Sequence, residues 1–302
     1  MKILLLGMNG QVGWELQRAL APLGEVVALD FDSPGPLSGD FANPEALAVT
    51  VRAVAPQIIV NAAAHTAVDR CETEPDLART INATAPGLLA REAKALGAWL
   101  VHYSTDYVFD GSGSAPWTEE SPTGPLNVYG ITKLEGEHAI RASGCRHLIF
   151  RTSWVYAARG ANFARTMLRL AQERDQLKVI DDQIGAPTGA DLLADLSAHA
   201  LRTGLQRPEV SGTYHAVAQG ETSWHGYARH VVGFARRAGH ATKVLPGAIE
   251  AIPSSAFPTA ARRPANSRMN TGKLQHVFGL ALPPWQAGVE RMLSEVLGPP
   301  PG

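Results

Sequence analysis

Cysteine is scarce in this sequence, and charge of neither sign predominates. The two cysteines, Cys71 and Cys145, lie far apart among the 302 residues and in no C-x-x-C or histidine-rich setting. Their number and spacing exclude a disulfide scaffold and a cysteine-based zinc site. Lysine and arginine together number 27 against 28 aspartate and glutamate residues, which gives a net charge of −1. Because nucleic-acid-binding proteins normally carry a basic excess or stripe, we expect no nucleic-acid partner.

Long hydrophobic runs are missing as well. The first apolar run, residues 3–6, ends at Gly7 and is too short for the hydrophobic region of a signal peptide. No window approaches the run of about 18 apolar residues that a transmembrane helix requires, so we expect no membrane partner. Together with two reduced thiols, this pattern is typical of a cytoplasmic protein.

Short apolar runs alternate with longer amphipathic stretches through the first half of the chain. Buried strands are predicted at residues 3–6, 26–29, 58–60, 99–103 and 148–150. The helices between them are predicted at residues 11–20, at residues 46–54 with Asn43 as N-cap and Pro44 as first residue, and from Pro75 to Leu96 before Gly97. This alternation predicts an α/β fold with a Rossmann-type, doubly wound parallel sheet.

The second half of the chain has a looser pattern. Proline and glycine concentrate in residues 246–264, which predicts a loop, and residues 298–302 are predicted to fray. Helices are predicted at residues 162–173, 190–202, 223–238 and 285–297. We therefore expect a dinucleotide-binding domain over residues 1–155 and a smaller, mainly substrate-binding lobe over residues 156–302, with some segments interleaved.

A glycine-rich turn follows the first predicted strand. Gly7, Gly10 and Gly13 form the pattern G-x-x-G-x-x-G at the start of a helix. Glycines permit a tight turn with close backbone approach, and the free N–H groups of a helix N-terminus attract a pyrophosphate. The turn therefore predicts dinucleotide binding.

Asp30 ends the second predicted strand, 23 residues after Gly7. A carboxylate at this position accepts hydrogen bonds from the adenosine ribose and repels a 2′-phosphate. No arginine lies between Arg18 and Arg52, so the residues alone favour NADH over NADPH, unless Arg18 folds back from the first helix.

Tyr129 and Lys133 are four residues apart at the start of a predicted helix, so both side chains lie on one face. An ammonium group near a phenol lowers the tyrosine pKa from about 10. Such a tyrosine can give a proton to a ketone oxygen as a general acid. A hydroxyl at the end of the fourth strand, from Ser104 or Thr105, could polarise the same oxygen.

These residues resemble the extended short-chain dehydrogenase/reductases, and within them the subfamily that reduces dTDP-4-dehydrorhamnose. The resemblance covers essentially the whole chain. The matching segments are residues 7–20, 61–69, 102–109, 125–133, 150–156, 182–188 and 262–270.

The resemblance implies NADPH- or NADH-dependent reduction of the C4 ketone of dTDP-4-dehydro-β-L-rhamnose, the last step of dTDP-rhamnose synthesis for cell-surface polysaccharide such as lipopolysaccharide O-antigen. It also implies a homodimer and a catalytic set of Thr105, Tyr129 and Lys133. Together with the turn described above, it implies that the cofactor contacts Gly7, Gly10, Gln11, Val12, Gly13, Asp30, Asp40, Phe41, Ala64, His65, Thr66, Tyr103, Tyr129 and Lys133. Thr105, Asp106 and Trp154 would contact the sugar nucleotide.

An arginine and three acidic residues are further candidates for binding, but each could equally be a surface residue without a role. Arg262, beside Arg263 in a proline-rich loop, is a candidate to bind the diphosphate of the substrate, although exposed loop arginines often have no role. Some members of the family bind Mg²⁺ between subunits, and the matching acidic residues are Glu15, Asp191 and Glu295. Asp191 is one methylene shorter than the expected glutamate, and three unconnected surface acids are the alternative.

Two other functions remain open from the sequence. A related branch of the same family is a non-catalytic regulatory subunit of methionine adenosyltransferase, which binds dinucleotide without turnover. A sugar-nucleotide epimerase or dehydratase would keep its NAD bound through turnover.

Overall fold

The computed structural model describes residues 1–299. Six parallel strands form the central sheet, in the order β10-β5-β4-β3-β1-β2, and three strand pairs lie outside it. In chain order, the described strands are β1 (Lys2–Leu6), β2 (Glu25–Leu29), β3 (Ile58–Asn61), β4 (Trp99–Thr105), β5 (Arg146–Thr152), β6 (Val155–Tyr156), β7 (Leu177–Ile180), β8 (Ile184–Gly185), β9 (Thr188–Gly189), β10 (Gly212–His215), β11 (Thr222–Ser223) and β12 (Ile249–Ile252).

Helices cover both faces of the sheet. Within the described residues, no helix has the length and apolar character needed to cross a membrane. The helices are α1 (Gln11–Leu20), α2 (Pro44–Val54), α3 (Val68–Thr73), α4 (Pro75–Arg79), α5 (Ala85–Leu96), α6 (Val128–Ser143), α7 (Phe163–Glu173), α8 (Ala190–Gln206), α9 (Trp224–Arg237), α10 (Gly272–Phe278) and α11 (Trp285–Leu297).

The parallel Rossmann-type sheet predicted from the sequence is confirmed. The five strands predicted in the first half of the chain are confirmed as β1 to β5. Helix α2 begins at Pro44, and the Asn43 side chain accepts a hydrogen bond from the Ala46 N–H at 3.2 Å. The helix predicted from Pro75 onward is continuous but contains a π-helical turn, Thr80–Thr84, between α4 and α5. It ends as predicted at Gly97, which has a φ of +65°.

The second half differs from the predictions in its strands. Strand β10 was not predicted, yet it forms the edge of the central sheet by pairing with β5. Residues 246–264 are not all loop, because they contain β12, which pairs in parallel with β7. Of the tail predicted to fray, residues 300–302 lie outside the described residues. The division at residue 155 stays a prediction.

The core explains why the strand sequences are continuously apolar. In β1, Ile3 and Leu5 pack on one face of the sheet and Leu4 and Leu6 on the other, and all four are fully buried. A parallel sheet covered by helices on both faces requires this pattern. A separate core lies in the second half of the chain and includes Tyr156, Met167, Tyr227, Trp285 and Leu293.

Candidate active site

The candidate site lies at the carboxyl ends of β1, β3 and β4, where ligands bind in open parallel sheets. The turn after β1 is closely packed. Gly7 has a φ of +86°, and a Cβ there would lie 2.7 Å from the Ala63 nitrogen. A Cβ on Gly13 would lie 1.9 Å from the Gly7 carbonyl oxygen. Glycine is therefore required at both positions, and the turn lies directly against the chain leaving β3.

The N-terminus of α1 fits a pyrophosphate. Helix α1 begins at Gln11, and its N-cap residue, Gly10, provides no side-chain hydrogen bond to the first turn. The first N–H groups of α1 therefore have no side-chain acceptor and are suited to bind an anion. Gln11 itself accepts a hydrogen bond from Asn162 at 3.1 Å, which connects the turn to the start of α7.

Asp30 lies beside this turn. Its Oδ2 accepts a hydrogen bond from the Asn9 N–H at 2.8 Å, and its Oδ1 accepts one from the Phe31 N–H at 2.8 Å. Arg18, the residue considered for a 2′-phosphate, is instead ion-paired with Asp195 at 2.9 Å.

Asp40 and Phe41, the two residues expected near the adenine, follow Asp30. Asp40 is partly exposed, and its Oδ1 accepts a hydrogen bond from the Ala42 N–H at 2.8 Å. Phe41 is buried in the core with Leu29 and Leu47. Its ring therefore contributes to core packing in addition to any contact with a ligand.

The segment after β3 contains Ala64, His65 and Thr66. The His65 N–H donates to Asn82 Oδ1 at 2.9 Å, and Asn82 Nδ2 donates back to the His65 carbonyl at 3.1 Å. Asn82 lies in the π-helical turn before α5 and is fully buried. The His65 ring lies between Glu74 Oε2, 3.3 Å from Nε2, and Cys71 Sγ, 3.4 Å from Nδ1.

The structure distinguishes between the two hydroxyls at the end of β4. The Thr105 hydroxyl lies close enough to the Tyr129 phenol to lower its pKa, whereas the Ser104 hydroxyl acts in the same way on the Glu137 carboxyl. Thr105 also donates to Asp106 Oδ1 at 3.0 Å and accepts from the Tyr107 N–H at 3.1 Å. Thr105 is therefore the hydroxyl that lies with Tyr129.

Tyr103, expected near the nicotinamide, directs its hydroxyl into the protein. The hydroxyl is 2.5 Å from Ser197 Oγ on α8, and its ring packs against Phe150 at 6.1 Å between centroids. The backbone of Tyr103 rather than its hydroxyl faces the lysine of the site, as described below.

Tyr129 lies in the first turn of α6, which is anchored by two residues that are not among the predicted site residues. Asn127 Oδ1 caps the helix by accepting from the Gly130 N–H at 2.8 Å, and its Nδ2 donates to the Arg262 carbonyl at 2.7 Å. Glu72 Oε1 accepts from the Val128 N–H at 2.8 Å. The position of Asn127 before the helix signals a cap, but the sequence contains no signal for Glu72.

The electrostatics of Tyr129 differ from the expectation based on its spacing from Lys133. Burial raises the pKa of Tyr129 above its usual value, against a lowering by the nearby Thr105 hydroxyl. Lys133 Nζ donates to the Tyr103 carbonyl at 2.6 Å and lies 3.3 Å from His102 Nε2. The expected lowering of the tyrosine pKa is therefore wrong for this arrangement, because the amino group is directed to β4.

Lys133 and Asp106 are both buried, with shifted pKa values. Burial lowers the pKa of Lys133 to about 8, against a raising by the Glu137 carboxylate. Burial raises the pKa of Asp106 to about 6, although the Ser267 and Thr105 hydroxyls oppose the shift. Both shifts favour the neutral form, although at neutral pH a lysine with a pKa of about 8 and an aspartate with a pKa of about 6 are still mostly charged.

Trp154 lies just after β5 with a φ of +50°, a value that bulky residues rarely adopt. Its indole stacks on Trp224, with ring centroids 3.7 Å apart and planes inclined by 16°. A Cβ on Gly185 would lie 2.9 Å from the indole of Trp154, so the glycine leaves room for the ring.

The two loop arginines behave differently. Arg262 is exposed and contributes only its carbonyl, which accepts the hydrogen bond from Asn127. Arg263 is ion-paired with Asp69 at 2.8 Å.

The three acids proposed as metal ligands are not clustered in the described part of this chain, which contains no group of three or more His, Cys, Asp or Glu side chains arranged for a metal ion. Asp191 is ion-paired with Arg291 at 2.6 Å, and Glu15 lies 3.6 Å from Arg18. Mg²⁺ between subunits at Glu15, Asp191 and Glu295 stays a prediction.

A glycine turn before α1, a parallel six-stranded sheet, and a Thr105, Tyr129 and Lys133 set define the class of NAD(P)-dependent short-chain dehydrogenases and reductases. A family model described as the RmlD substrate binding domain matches residues 1–297, and the chain belongs to this family.

Relatives match over nearly the full length. A dTDP-4-dehydrorhamnose reductase of Shigella flexneri is 58% identical, and the match covers 98% of this chain and 98% of the relative. A dTDP-4-dehydrorhamnose reductase of Burkholderia thailandensis is 48% identical, and the match covers 98% of this chain and 99% of the relative. The crystal structure of a dTDP-4-dehydrorhamnose reductase from Bacillus anthracis in complex with NADP has a TM-score of 0.85 and 34% identity, over 97% of this chain and 99% of that chain.

Proposed function

We propose that this protein is an NADPH- or NADH-dependent dTDP-4-dehydrorhamnose reductase, which reduces the C4 ketone of its dTDP-sugar substrate to give dTDP-L-rhamnose for cell-surface polysaccharide. The relatives described above bear this name, and the Bacillus anthracis structure contains NADP. The observation that carries the proposal is the placement of the Thr105 hydroxyl beside the Tyr129 phenol at the carboxyl end of β4, with Lys133 one turn further along α6.

Tyr129 is the proton donor in this mechanism. Its raised pKa keeps the phenol protonated at neutral pH, as a general acid must be before the reaction. Thr105 lies beside the phenol and can donate to the ketone oxygen when that oxygen replaces Asp106 as its acceptor. Lys133 in its charged form stabilises the phenolate that remains after the proton has left.

The reduced nicotinamide, when bound, supplies the hydride. The uncapped N-terminus of α1 fits the pyrophosphate, which we assign to Gly10, Gln11 and Val12 beside Gly7 and Gly13. The remaining cofactor contacts are proposed at Asp30, Asp40, Phe41, Ala64, His65, Thr66 and Tyr103. Asp106, Trp154 and Arg262 are proposed to contact the sugar nucleotide.

The larger organisation is also part of the proposal. Residues 1–155 are assigned to dinucleotide binding, and residues 156–302 mainly to the sugar nucleotide. The protein is proposed to be a cytoplasmic homodimer, with Mg²⁺ between subunits at Glu15, Asp191 and Glu295. Sedimentation with Mg²⁺ and with EDTA tests the assembly, and a monomer under both conditions would contradict it.

The reaction is tested by the loss of reduced-nicotinamide absorbance, with dTDP-4-dehydrorhamnose generated in the cuvette by the two preceding enzymes. NADPH and NADH are compared at equal concentration, and oxidation with either supports the proposal. Nucleotide binding without turnover would favour the regulatory-subunit function instead. Nucleotide retained by the purified protein through turnover would favour an epimerase or dehydratase.

A further inference from the structure

A chain of three buried polar side chains lies behind the candidate site and joins β3, β4 and α6. Asn61 Nδ2 is 3.0 Å from His102 Nδ1, and His102 Nε2 is 3.3 Å from Lys133 Nζ. Asn61 and His102 are 1% exposed and Lys133 is 2% exposed. Water therefore has little access to these groups, and each hydrogen bond between them must join a donor to an acceptor.

The orientation of Asn61 determines which imidazole nitrogen carries the proton. The Ala63 N–H, which can only donate, lies 3.0 Å from the Asn61 side chain, so the atom facing it is the amide oxygen. The other terminal atom is therefore the NH₂ group, and His102 Nδ1 must accept from it. A neutral imidazole carries one N–H, which is then on Nε2 and directed at Lys133.

The imidazole is neutral in this position. Burial lowers the pKa of His102 well below its usual value, and the charges of Lys133 and of His147 on β5 act in the same direction. A second N–H on the ring would also face the NH₂ group of Asn61, which offers no acceptor.

Lys133 therefore faces an N–H group, and this contact disfavours its ammonium form. An ammonium group has only donors, whereas an amine has a lone pair that accepts from His102 and an N–H that donates to the Tyr103 carbonyl at 2.6 Å. We propose that His102 is a positioning residue for Lys133: the tautomer imposed by Asn61 turns an N–H toward the lysine amino group, so Lys133 releases its proton at a lower pH than it would beside an acceptor.

The other charged groups near Lys133 do not reverse this preference. Glu137, one turn further along α6, favours the ammonium, but its carboxylate is already shared by Arg151 at 2.7 Å and Arg141 at 3.0 Å. Burial lowers the pKa of Lys133 to about 8, in the same direction as the contact with His102. Tyr129, on the preceding turn, is neutral.

The effect of His102 on turnover rests on the proposed function, because Lys133 must be charged to stabilise the Tyr129 phenolate. His102 then influences the pH range in which the reductase works. Replacing Asn61 by aspartate tests this directly. A carboxylate at position 61 can accept from both the Ala63 N–H and a His102 Nδ1–H, which leaves the Nε2 lone pair free to accept from an ammonium group.

The first measurement is the tautomer of His102 in the full-length wild-type protein, by nitrogen-15 NMR of the imidazole with sequence-specific assignment. We expect the Nε2–H tautomer in the wild type and the Nδ1–H tautomer in Asn61→Asp. The alkaline limb of the pH profile of kcat/KM should move to higher pH by about one unit in Asn61→Asp, because the ammonium is stabilised. The control is Asn270→Asp, which adds a carboxylate at an exposed position and should change neither result.

Either an Nδ1–H tautomer or an imidazolium in the wild type would overturn the proposal. A folded Asn61→Asp variant with an unchanged tautomer and an unchanged pH profile would do the same. If that variant does not fold, the wild-type tautomer alone decides. Because the NMR measurement needs no substrate, a wild type with the Nε2–H tautomer and no reductase activity would count against the proposed function and leave the contact between His102 and Lys133 intact.

Discussion

Arg151 donates two hydrogen bonds to the Glu137 carboxylate, from Nε to Oε1 at 2.9 Å and from Nη2 to Oε2 at 2.7 Å. The Glu137 side chain is fully buried and that of Arg151 is 3% exposed. Glu137 belongs to α6, the helix of Tyr129 and Lys133, whereas Arg151 belongs to β5. The bidentate pair therefore joins the helix that carries the proposed acid to the central sheet.

We expect Glu137→Gln to destabilise the protein by about 3 kcal/mol, because it leaves the Arg151 guanidinium buried without its counter-charge. The matched control is Arg141→Gln. It removes the more exposed partner of the same carboxylate and should cost less than about 1 kcal/mol. Chemical denaturation at pH 7.5 measures both variants, and equal losses would contradict this account of the pair.

The same pair predicts a pH dependence of stability. The Arg151 guanidinium lowers the pKa of Glu137 against the opposing effect of burial. A carboxyl group with a lowered pKa stabilises the folded state above its unfolded pKa of about 4.3, and this contribution is lost as the pH falls through the folded pKa. The difference in stability between wild type and Glu137→Gln should therefore narrow below pH ~4.

Tyr129→Phe tests the proposed proton donor. Loss of the phenol should reduce kcat by about 10²- to 10⁴-fold, the usual contribution of a general acid, while nucleotide affinity changes little. The control is Tyr107→Phe, because the Tyr107 ring lies 5.6 Å from that of Tyr129 in an edge-on contact. This control removes a neighbouring hydroxyl and should retain most of the activity. Wild-type turnover by Tyr129→Phe would rule out the mechanism.

Two glycines of the turn after β1 allow its effect on stability to be distinguished from its effect on cofactor binding. Gly13→Ala places a Cβ 1.9 Å from the Gly7 carbonyl oxygen, whereas Gly10→Ala places one at an ordinary 3.4 Å from the same atom. We expect Gly13→Ala to cost about 1–3 kcal/mol of stability and Gly10→Ala less than about 1 kcal/mol. If the turn holds the pyrophosphate, both variants should bind NADPH more weakly. Thermal denaturation and NADPH fluorescence titration distinguish the two effects.

Local signals were sufficient to predict much of the fold. The uninterrupted apolar residues of β1 and the Asn43–Pro44 start of α2 depend on burial and capping, which act over a few residues. Strand β10 could not be predicted in this way, because its place beside β5 depends on the return of the chain from the second half.

The candidate site shows the same division between local and distant information. The spacing of Tyr129 and Lys133 correctly places them on one helix, but the direction of the Lys133 amino group depends on His102 and Tyr103 of β4. The raised pKa of Tyr129 likewise follows from burial by distant segments, which no local pattern contains.

The buried carboxyl group of Asp106 is expected to reduce the stability of the folded protein at neutral pH. Burial raises its pKa to about 6, so the folded state holds the proton more tightly than the unfolded chain, whose aspartates titrate near 3.9. Stability is therefore lost as the pH rises through this interval, and the loss is complete above the folded pKa.

Asp106→Asn removes this titration, since an amide carries no charge at either pH. We expect the variant to be more stable than the wild type by about 2 kcal/mol at pH 7.5 and to approach it near pH 4, as measured by guanidinium denaturation. The control is Asp110→Asn. The pKa of exposed Asp110 is lowered by its hydrogen bond from the Ser112 N–H, so this change should give no gain at pH 7.5.

A gain in Asp106→Asn accompanied by a higher KM for the sugar nucleotide would mean that the buried carboxylate is kept for substrate binding at the expense of stability. No gain at pH 7.5 would show that its charge is compensated in the folded protein.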